Sequence, residues 1–349
     1  MKFQKQILVF VLLISLSISL LSGCGTQKQQ ISRNGFFFDT IITITLYGTD
    51  NESYINSCFS LASDYEKKFS NTIKDSEISK INQNAGSYVS VSDETIELLT
   101  DAIEYGNISG GKFDVTIGNL SDLWNFSEIA KNSGSPDNKV DSSVVPSDEE
   151  IKKQLSHVNY HCIQIDGNRV KLTDPDSKLD VGGIAKGYIA DKMRTYLNQE
   201  GITSRVISLG GNVLTLGSKT DNKPYTIGIQ KPFADTGTPL AELRVKDASI
   251  VSSGIYERYY RVGDKLYHHI LDTETGYPVE NNLYQVTIIS QSSMDGDALS
   301  TTCFALGLEK GMELIEETDG IEAVFVTDDG NLHYSSGIGD NEELSVKQL

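Results

Sequence analysis

The sequence predicts an α+β fold of antiparallel sheets with flanking helices, and three observations predict it. β-type runs outnumber helical ones along the 349 residues. They arrive in groups, without the strand–helix alternation that marks a parallel sheet. No period of about 20–50 residues repeats, which excludes solenoids and propellers. One unit is expected over residues 35–349, with room for two pseudo-similar halves.

Phe36 to Tyr47 is rich in aromatic and β-branched residues and alternates at Ile42, Ile44 and Leu46, so it reads as a strand. From Asn51 to Phe69 the period changes. Ile55, Phe59, Ala62, Tyr65 and Phe69 recur at three- and four-residue steps, the pattern of an amphipathic helix. A second helix is predicted from Asp93 to Tyr105, with Ser92 as N-cap, Leu98, Leu99, Ala102 and Ile103 inward, and a stop at Gly106 or at Gly110-Gly111. Ser127 to Ser147 is rich in Ser, Asp, Asn and Pro and reads as an exposed loop. Ser147 and Glu150 form a capping box ahead of Ile151 and Leu155.

Short strands are predicted at Cys162–Ile165 and Arg169–Leu172, then a glycine turn at Gly182-Gly183 and a helix over Ala185–Leu197. Six β-type runs follow: Arg205–Leu209, Val213–Leu216, Tyr225–Gln230, Leu240–Val245, Ile250–Ser252 and Arg258–Val262. The last third predicts a strand at Leu283–Ser290, helices at Asp295–Leu306 and Leu308–Glu317, and a strand at Ile321–Thr327.

Composition narrows the function. With 38% hydrophobic and 22% charged residues the chain is globular, and disorder is excluded as its main state. Thirty Lys and Arg against 48 Asp and Glu leave a net charge of −18, which repels phosphate backbones and speaks against nucleic acid as partner. Lys2 and Lys5 precede an apolar run, Ile7 to Leu21, of signal-peptide length and too short to span a bilayer. Leu21-Ser22-Gly23-Cys24 then resembles a bacterial lipobox, the competing reading being a plain secretory signal with a chance Cys. Removal of residues 1–23 would leave Cys24 lipidated, residues 24–34 as a polar flexible tether, and the protein at the extracytoplasmic face of the cell membrane. Cys58, Cys162 and Cys303 lie in apolar surroundings without metal-type spacing. Three buried small hydrophobes is the ordinary explanation, and one disulfide among them stays open.

Four clusters join glycine to polar groups beyond what packing requires. In Gly110-Gly111-Lys112-Phe113-Asp114-Val115-Thr116, an acid with a Thr two residues on can bond a base or a sugar, although a plain glycine turn is the commoner cause. In Leu179 to Tyr188, Gly182-Gly183 opens a helix whose free N–H groups, with Lys186, suit an anion; neither a Walker A loop nor a GxGxxG fingerprint is present. Tyr267-His268-His269-Ile270 places two of five His side by side, so on a strand one can face a site while the other points away. In Asp295-Gly296-Asp297-Ala298-Leu299-Ser300-Thr301, Asp297 and Thr301 stand one helical turn apart and could offer oxygen to Mg2+, helix capping being the ordinary alternative.

The order of these clusters, GGKFDVTIG, DVGGIAKGY, HHILDTETGYPV and DGDALSTTCFALG, resembles the ApbE family of FAD:protein FMN transferase lipoproteins. FDTIITITLYG, SLGGN at Ser208–Asn212 and SSGIYERYY at Ser252–Tyr260 also fit. The resemblance implies two T-fold-like halves. It further implies an enzyme that binds FAD, uses Mg2+ to cleave the pyrophosphate, and passes FMN to a Thr or Ser hydroxyl of an extracytoplasmic acceptor protein, releasing AMP. Carried onto this chain, the metal ligands would be Asp297, Thr301 and the main-chain oxygen of Ala185. His269 would be the catalytic base. Phe38, Asp114, Gly182, Ala185, Lys186 and Ile270 would contact FAD. The chain departs from the family pattern at Phe38, Asp39, Val115, Ile255 and Thr273, none of them a proposed metal ligand or the base. An FAD pyrophosphatase that uses water in place of the acceptor, and a flavin-binding lipoprotein without catalysis, are the alternatives.

Overall fold

In the computed structural model of the chain, which describes residues 30–135, 137–218, 223–339 and 344–349, the first element is a hairpin. Gln30–Phe37 (β1) pairs antiparallel with Thr40–Tyr47 (β2). One strand was expected here and a tether over residues 24–34, but Gln30–Asn34 pair with Thr43–Tyr47, so the folded unit starts before residue 35. Phe38 and Asp39 make the turn in the left-handed region, at φ 52° and 54°, without the Gly or Asn that usually announces such a turn. The predicted signal segment 1–23 and Cys24 lie outside the described residues.

Ser53–Phe69 (α1) buries Ile55, Ala62, Tyr65 and Phe69 as its periodicity requires. Glu77–Gln83 (α2) and the short strand Val89–Ser90 (β3) lead to Asp93–Ile108 (α3). Ser92 stands at the N-cap position, but its hydroxyl donates to Glu77 Oε2 (2.9 Å) and caps nothing. The helix runs through Gly106 because the ring of Tyr160 lies where a side chain would be, 2.7 Å from a Cβ placed there. Gly118–Trp124 (α4) and Phe126–Asn132 (α5) follow, so the segment read as a loop begins as a helix; Ile129, Val140, Val144 and Val145 pack against Trp124, Phe126 and Tyr260. Asp148–Leu155 (α6) starts with the complete capping box of Ser147 and Glu150.

Ile163–Asp166 (β4) and Arg169–Leu172 (β5) precede Ala185–Gln199 (α7). The strands Arg205–Leu209 (β6), Asn212–Leu216 (β7), Tyr225–Gln230 (β8), Pro239–Val245 (β9), Ser249–Gly254 (β10), Tyr259–Val262 (β11) and Lys265–His268 (β12) come next. Leu283–Ser290 (β13), Ser293–Leu306 (α8), Leu308–Glu316 (α9), Glu322–Thr327 (β14), Leu332–Tyr334 (β15) and Leu344–Gln348 (β16) complete the chain. Cys58, Cys162 and Cys303 are buried free thiols, and burial pushes Cys58 and Cys303 up to about 12.

One eight-stranded sheet, ordered β1-β2-β6-β7-β10-β13-β14-β15, organises the molecule, and all its neighbours are antiparallel. Its two halves follow the same order along the chain: two strands, a helical part, two strands. β1-β2 and β6-β7 flank the long excursion that holds α1 and α7. β10-β13 and β14-β15 flank α8 and α9. Ile42, Ile44 and Leu46 of β2 bury against α1 and α7, while Val286, Ile288, Ala323 and Phe325 bury against Phe304.

The halves meet where α7 crosses α8. Gly187 lies on Ser293 and Met294 so closely that a Cβ would stand 2.6 Å from Met294 Cα. Each helix satisfies N–H groups at the start of the other. Asp191 of α7 accepts from Ser293 N and Met294 N (both 3.0 Å) and from Ser292 Oγ (3.1 Å). Asp297 of α8 accepts from Gly187 N (3.0 Å).

Since backbone on both sides leaves little room to yield, Gly187→Ala is expected to destabilise the protein by about 1–3 kcal/mol, the usual cost of an overpacked site. A denaturant midpoint equal to wild type would show that the two helices can separate at no cost.

Candidate active site

The turn before α7 is shaped by side chains within the protein. Asn82 grips Leu179 at both backbone groups (2.7 and 3.0 Å), and Asp180 Oδ1 accepts from Gly182 N (2.9 Å). Val181 O takes Ile184 N and Ala185 N, and Asp297 takes Gly187 N. The expected set of free N–H groups is therefore smaller than the glycine turn suggested. The anion favoured by this helix start is a carboxylate of the protein itself, Asp297.

Asp297 is 4% exposed. One oxygen is held by Gly187 N; the other has a long contact of 3.4 Å with Lys186 Nζ, which also donates to Gly182 O (3.1 Å). Three hydroxyls follow on α8, and they divide. Ser300 and Thr302 donate to carbonyls of their own helix, Asp297 O (3.0 Å) and Ala298 O (2.9 Å). Thr301 Oγ1 instead meets Ser253 Oγ (3.4 Å) and lies 3.8 Å from the Cβ position of Gly183. A carboxylate oxygen and a hydroxyl with spare lone pairs, beside Ala185 in the first turn of α7, form the hard-oxygen set that suits Mg2+.

His268 and His269 separate as neighbours on a strand must. His268 is 5% exposed and bonded on both nitrogens: Nε2 to Val279 O (3.0 Å) and Nδ1 to Ile270 N (3.3 Å). Burial holds it near pKa 4, so it is a neutral structural residue. His269 is half-buried, its N–H donates to Arg258 O (3.1 Å), and its buried Nδ1 has no partner. Burial first, then the charges of Arg258, His268 and Lys186, hold it at about 3. Lys186 Nζ contacts Asp297, and its charge is also among those that lower His269.

The other expected residues are tied into the fold around them. Both oxygens of Asp114 are committed, Oδ1 to Thr116 N (2.7 Å) and Thr116 Oγ1 (2.6 Å), Oδ2 to Tyr160 N (2.8 Å). The acid and the Thr read as a ligand pair are bonded to each other. Ile270 is 5% exposed in the second core. Phe38 lies on the β1–β2 turn, where its N–H donates to Glu66 Oε1 (2.6 Å). That turn adjoins Gly210, whose N–H donates to Ile41 O (3.3 Å), while Gly211 O accepts from Ser252 N (3.2 Å), so Phe38 shares the sheet end that carries Ser253. Sequence reasoning did not single out Ser253 and Arg258 as site residues, though both lie within SSGIYERYY.

The ApbE family model matches residues 38–325. An FAD:protein FMN transferase of Klebsiella pneumoniae is 36% identical over 314 residues, covering 89% of this chain and 93% of that protein. One from Treponema pallidum is 29% identical and covers 94% of each. Among solved structures, the flavin transferase ApbE from Vibrio cholerae has a TM-score of 0.77 at 28% identity, covering 88% of this chain and 98% of that one. The ApbE protein of Thermotoga maritima also reaches 0.77, at 30% identity, covering 88% and 97%.

Of the five imidazoles, His268 and His269 are expected to stay neutral between pH 8 and pH 5 in a proton NMR titration. The same depression moves the acid limb of any reaction that needs neutral His269. Activity per enzyme–substrate encounter should show no fall from this group near its ordinary 6.5. A His269 resonance that titrates near 6.5 would mean water reaches the ring freely.

Proposed function

The chain belongs to the ApbE family, and on that footing we propose that it is an FAD:protein FMN transferase anchored outside the cytoplasmic membrane through Cys24. The observation that carries the reading is the start of α7, where Asp297 accepts from Gly187 N and meets Lys186 Nζ, with Thr301 one turn along α8 from Asp297. Such a set suits attack of an alcohol on a phosphorus atom.

The bond that forms joins the acceptor's Thr or Ser oxygen to the phosphorus on the flavin side of FAD. The bond that breaks is the diphosphate bridge, and AMP leaves with the bridging oxygen. His269 receives the hydroxyl proton. Burial is the largest cause of its depressed basicity, and the charges of Arg258 and Lys186 add to it; the negative diphosphate would offset those charges and make the ring a better base. Lys186 and Arg258 hold the anion in an otherwise acidic protein. Mg2+, held by Asp297, Thr301 and the Ala185 carbonyl, would neutralise charge on the diphosphate oxygens and fix their geometry.

Residues 24–29 would link the lipid to β1, which starts at Gln30. Among the described residues no helix is long and apolar enough to cross a membrane. Attachment in this reading therefore depends on the lipid at Cys24.

Incubation of the protein with FAD, Mg2+ and an acceptor protein, followed by mass spectrometry, should show FMN on a Thr or Ser and AMP in solution. FMN and AMP free in solution with no modified acceptor would indicate the pyrophosphatase alternative; intact FAD would indicate a binding protein. Asp297→Ala is expected to lower FAD turnover at least about 100-fold through loss of transition-state charge stabilisation. His269→Ala should slow transfer by about 10²–10⁴-fold while FAD still binds. Unchanged turnover in either variant contradicts the assigned role.

A further inference from the structure

The base and the acid–hydroxyl pair stand on different segments, and nothing in either segment by itself sets their separation. His269 lies just beyond β12, whereas Asp297 and Thr301 lie on α8. One short stretch, Ser109 to Phe113, touches both sides. Phe113 is 4% exposed, and its ring lies 3.2 Å from the Cβ position of Gly183, the residue that faces Thr301. The same ring meets Tyr105 edge-on at 6.1 Å, and Tyr105 OH donates to Asp295 Oδ1 (2.8 Å) in the first turn of α8.

The adjacent residue reaches the other way. Lys112 Nζ contacts Asp272 Oδ2 (3.2 Å) and Glu274 Oε2 (3.1 Å), with only 18% of the Lys112 side chain exposed. Thr273 Oγ1 donates to Gly111 O (2.7 Å). The segment they hold is closed on itself. Asp272 Oδ1 accepts from Glu274 N (2.7 Å) and Thr275 N (3.0 Å), Asp272 N donates to Tyr277 O (2.8 Å), and Val279 N donates to Ile270 O (2.9 Å). A pull on Asp272 is thereby a pull on the backbone that begins at His269.

Two carboxylates already neutralise Lys112, so it is a poor holder of a substrate anion. On the transferase reading, we infer that Lys112 is a positioning residue: with Thr273 and Gly111 it fixes the His269 segment against the turn that carries Gly183, and so sets the distance between base and phosphorus. Its effect is on turnover and not on the binding of FAD, because misplacement of a catalytic group by about 1 Å can cost up to about 100-fold in rate without loss of contact to the ground state.

The test uses the whole protein with FAD, Mg2+ and an acceptor protein, and measures kcat and KM for FAD, FAD affinity by flavin fluorescence, and the thermal midpoint. Lys112→Met is expected to lower kcat by about tenfold or more with KM and FAD affinity within about threefold, and Lys112→Arg to restore most of the rate, since it keeps the ion pair. Thr273→Val should lower kcat in the same direction. The double variant should lose less than the product of the two, because both hold one joint. Wild-type kcat in Lys112→Met, loss of FAD affinity in it, or failure of Lys112→Arg to recover would each overturn the positioning role while leaving the transferase reading intact. A wild-type protein that leaves FAD unchanged overturns both.

Discussion

Asp191 and Asp297 each reach from the second turn of one helix to the unsatisfied N–H groups at the start of the other, and the rest of the site depends on this exchange. A carboxylate at a helix start is favoured by the open N–H groups and by the dipole. Here the two starts lie back to back, with Gly187 against Ser293, so each helix supplies what its neighbour lacks. The exchange is nearly symmetric, as are the two halves of the sheet, but it is not equal. Asp191 spends its oxygens on Ser292, Ser293 and Met294 and pairs with Arg194 at 3.0 Å. Asp297 spends one oxygen on Gly187 and keeps the other facing Lys186 at a distance too long for a strong pair. Chemistry can be built on the second carboxylate because the first already does the structural task.

Helix α7 is held at its far end as well. Arg205 of β6, wholly buried, donates to Ile202 O, to Arg194 O (3.1 Å) and to Asn198 Oδ1 (2.6 Å). Burial pulls its pKa down to about 10, which still leaves it charged at neutral pH. A cation at the C-terminus and an anion at the N-terminus both suit the dipole of one helix. With both ends fixed, the turn that enters α7 has little freedom, and the positions of Gly183, Ala185 and Lys186 are set before any ligand arrives.

The local rules of the chain reached far into this arrangement. The inward stripe of α1, the capping box at Ser147 and Glu150, and the alternation of β2 all follow from side-chain period and hydrogen-bonding capacity. The clusters around Gly182, His269 and Asp297 could be picked out because glycine beside polar groups is uneconomical as mere packing. At other positions a tertiary contact replaces the local signal. Gly106 does not end α3 because Tyr160 fills the space that its missing side chain leaves. Ser92 does not cap α3 because Glu77 takes its hydroxyl. Phe38 and Asp39 turn the first hairpin with backbone angles that neither residue advertises.

Residue type and spacing alone determined that there would be antiparallel sheets with helices against them, which glycine turns open toward polar groups, and that Asp297 and Thr301 share a helix face. Those are properties of short stretches, where each residue's neighbours along the chain decide its geometry. Only the tertiary structure decided which polar groups would be left with work to do. Asp114 and Thr116 carry the same chemistry as Asp297 and Thr301, yet the first pair bonds to itself and to Tyr160, while Asp297 bonds across the helix joint to Gly187 and Thr301 meets Ser253. His268 and His269 are chemically identical, yet one is bonded on both nitrogens and the other has a buried Nδ1 without a partner. Hydrogen-bonding capacity is written in the residue, but whether it is consumed depends on partners far away in the chain.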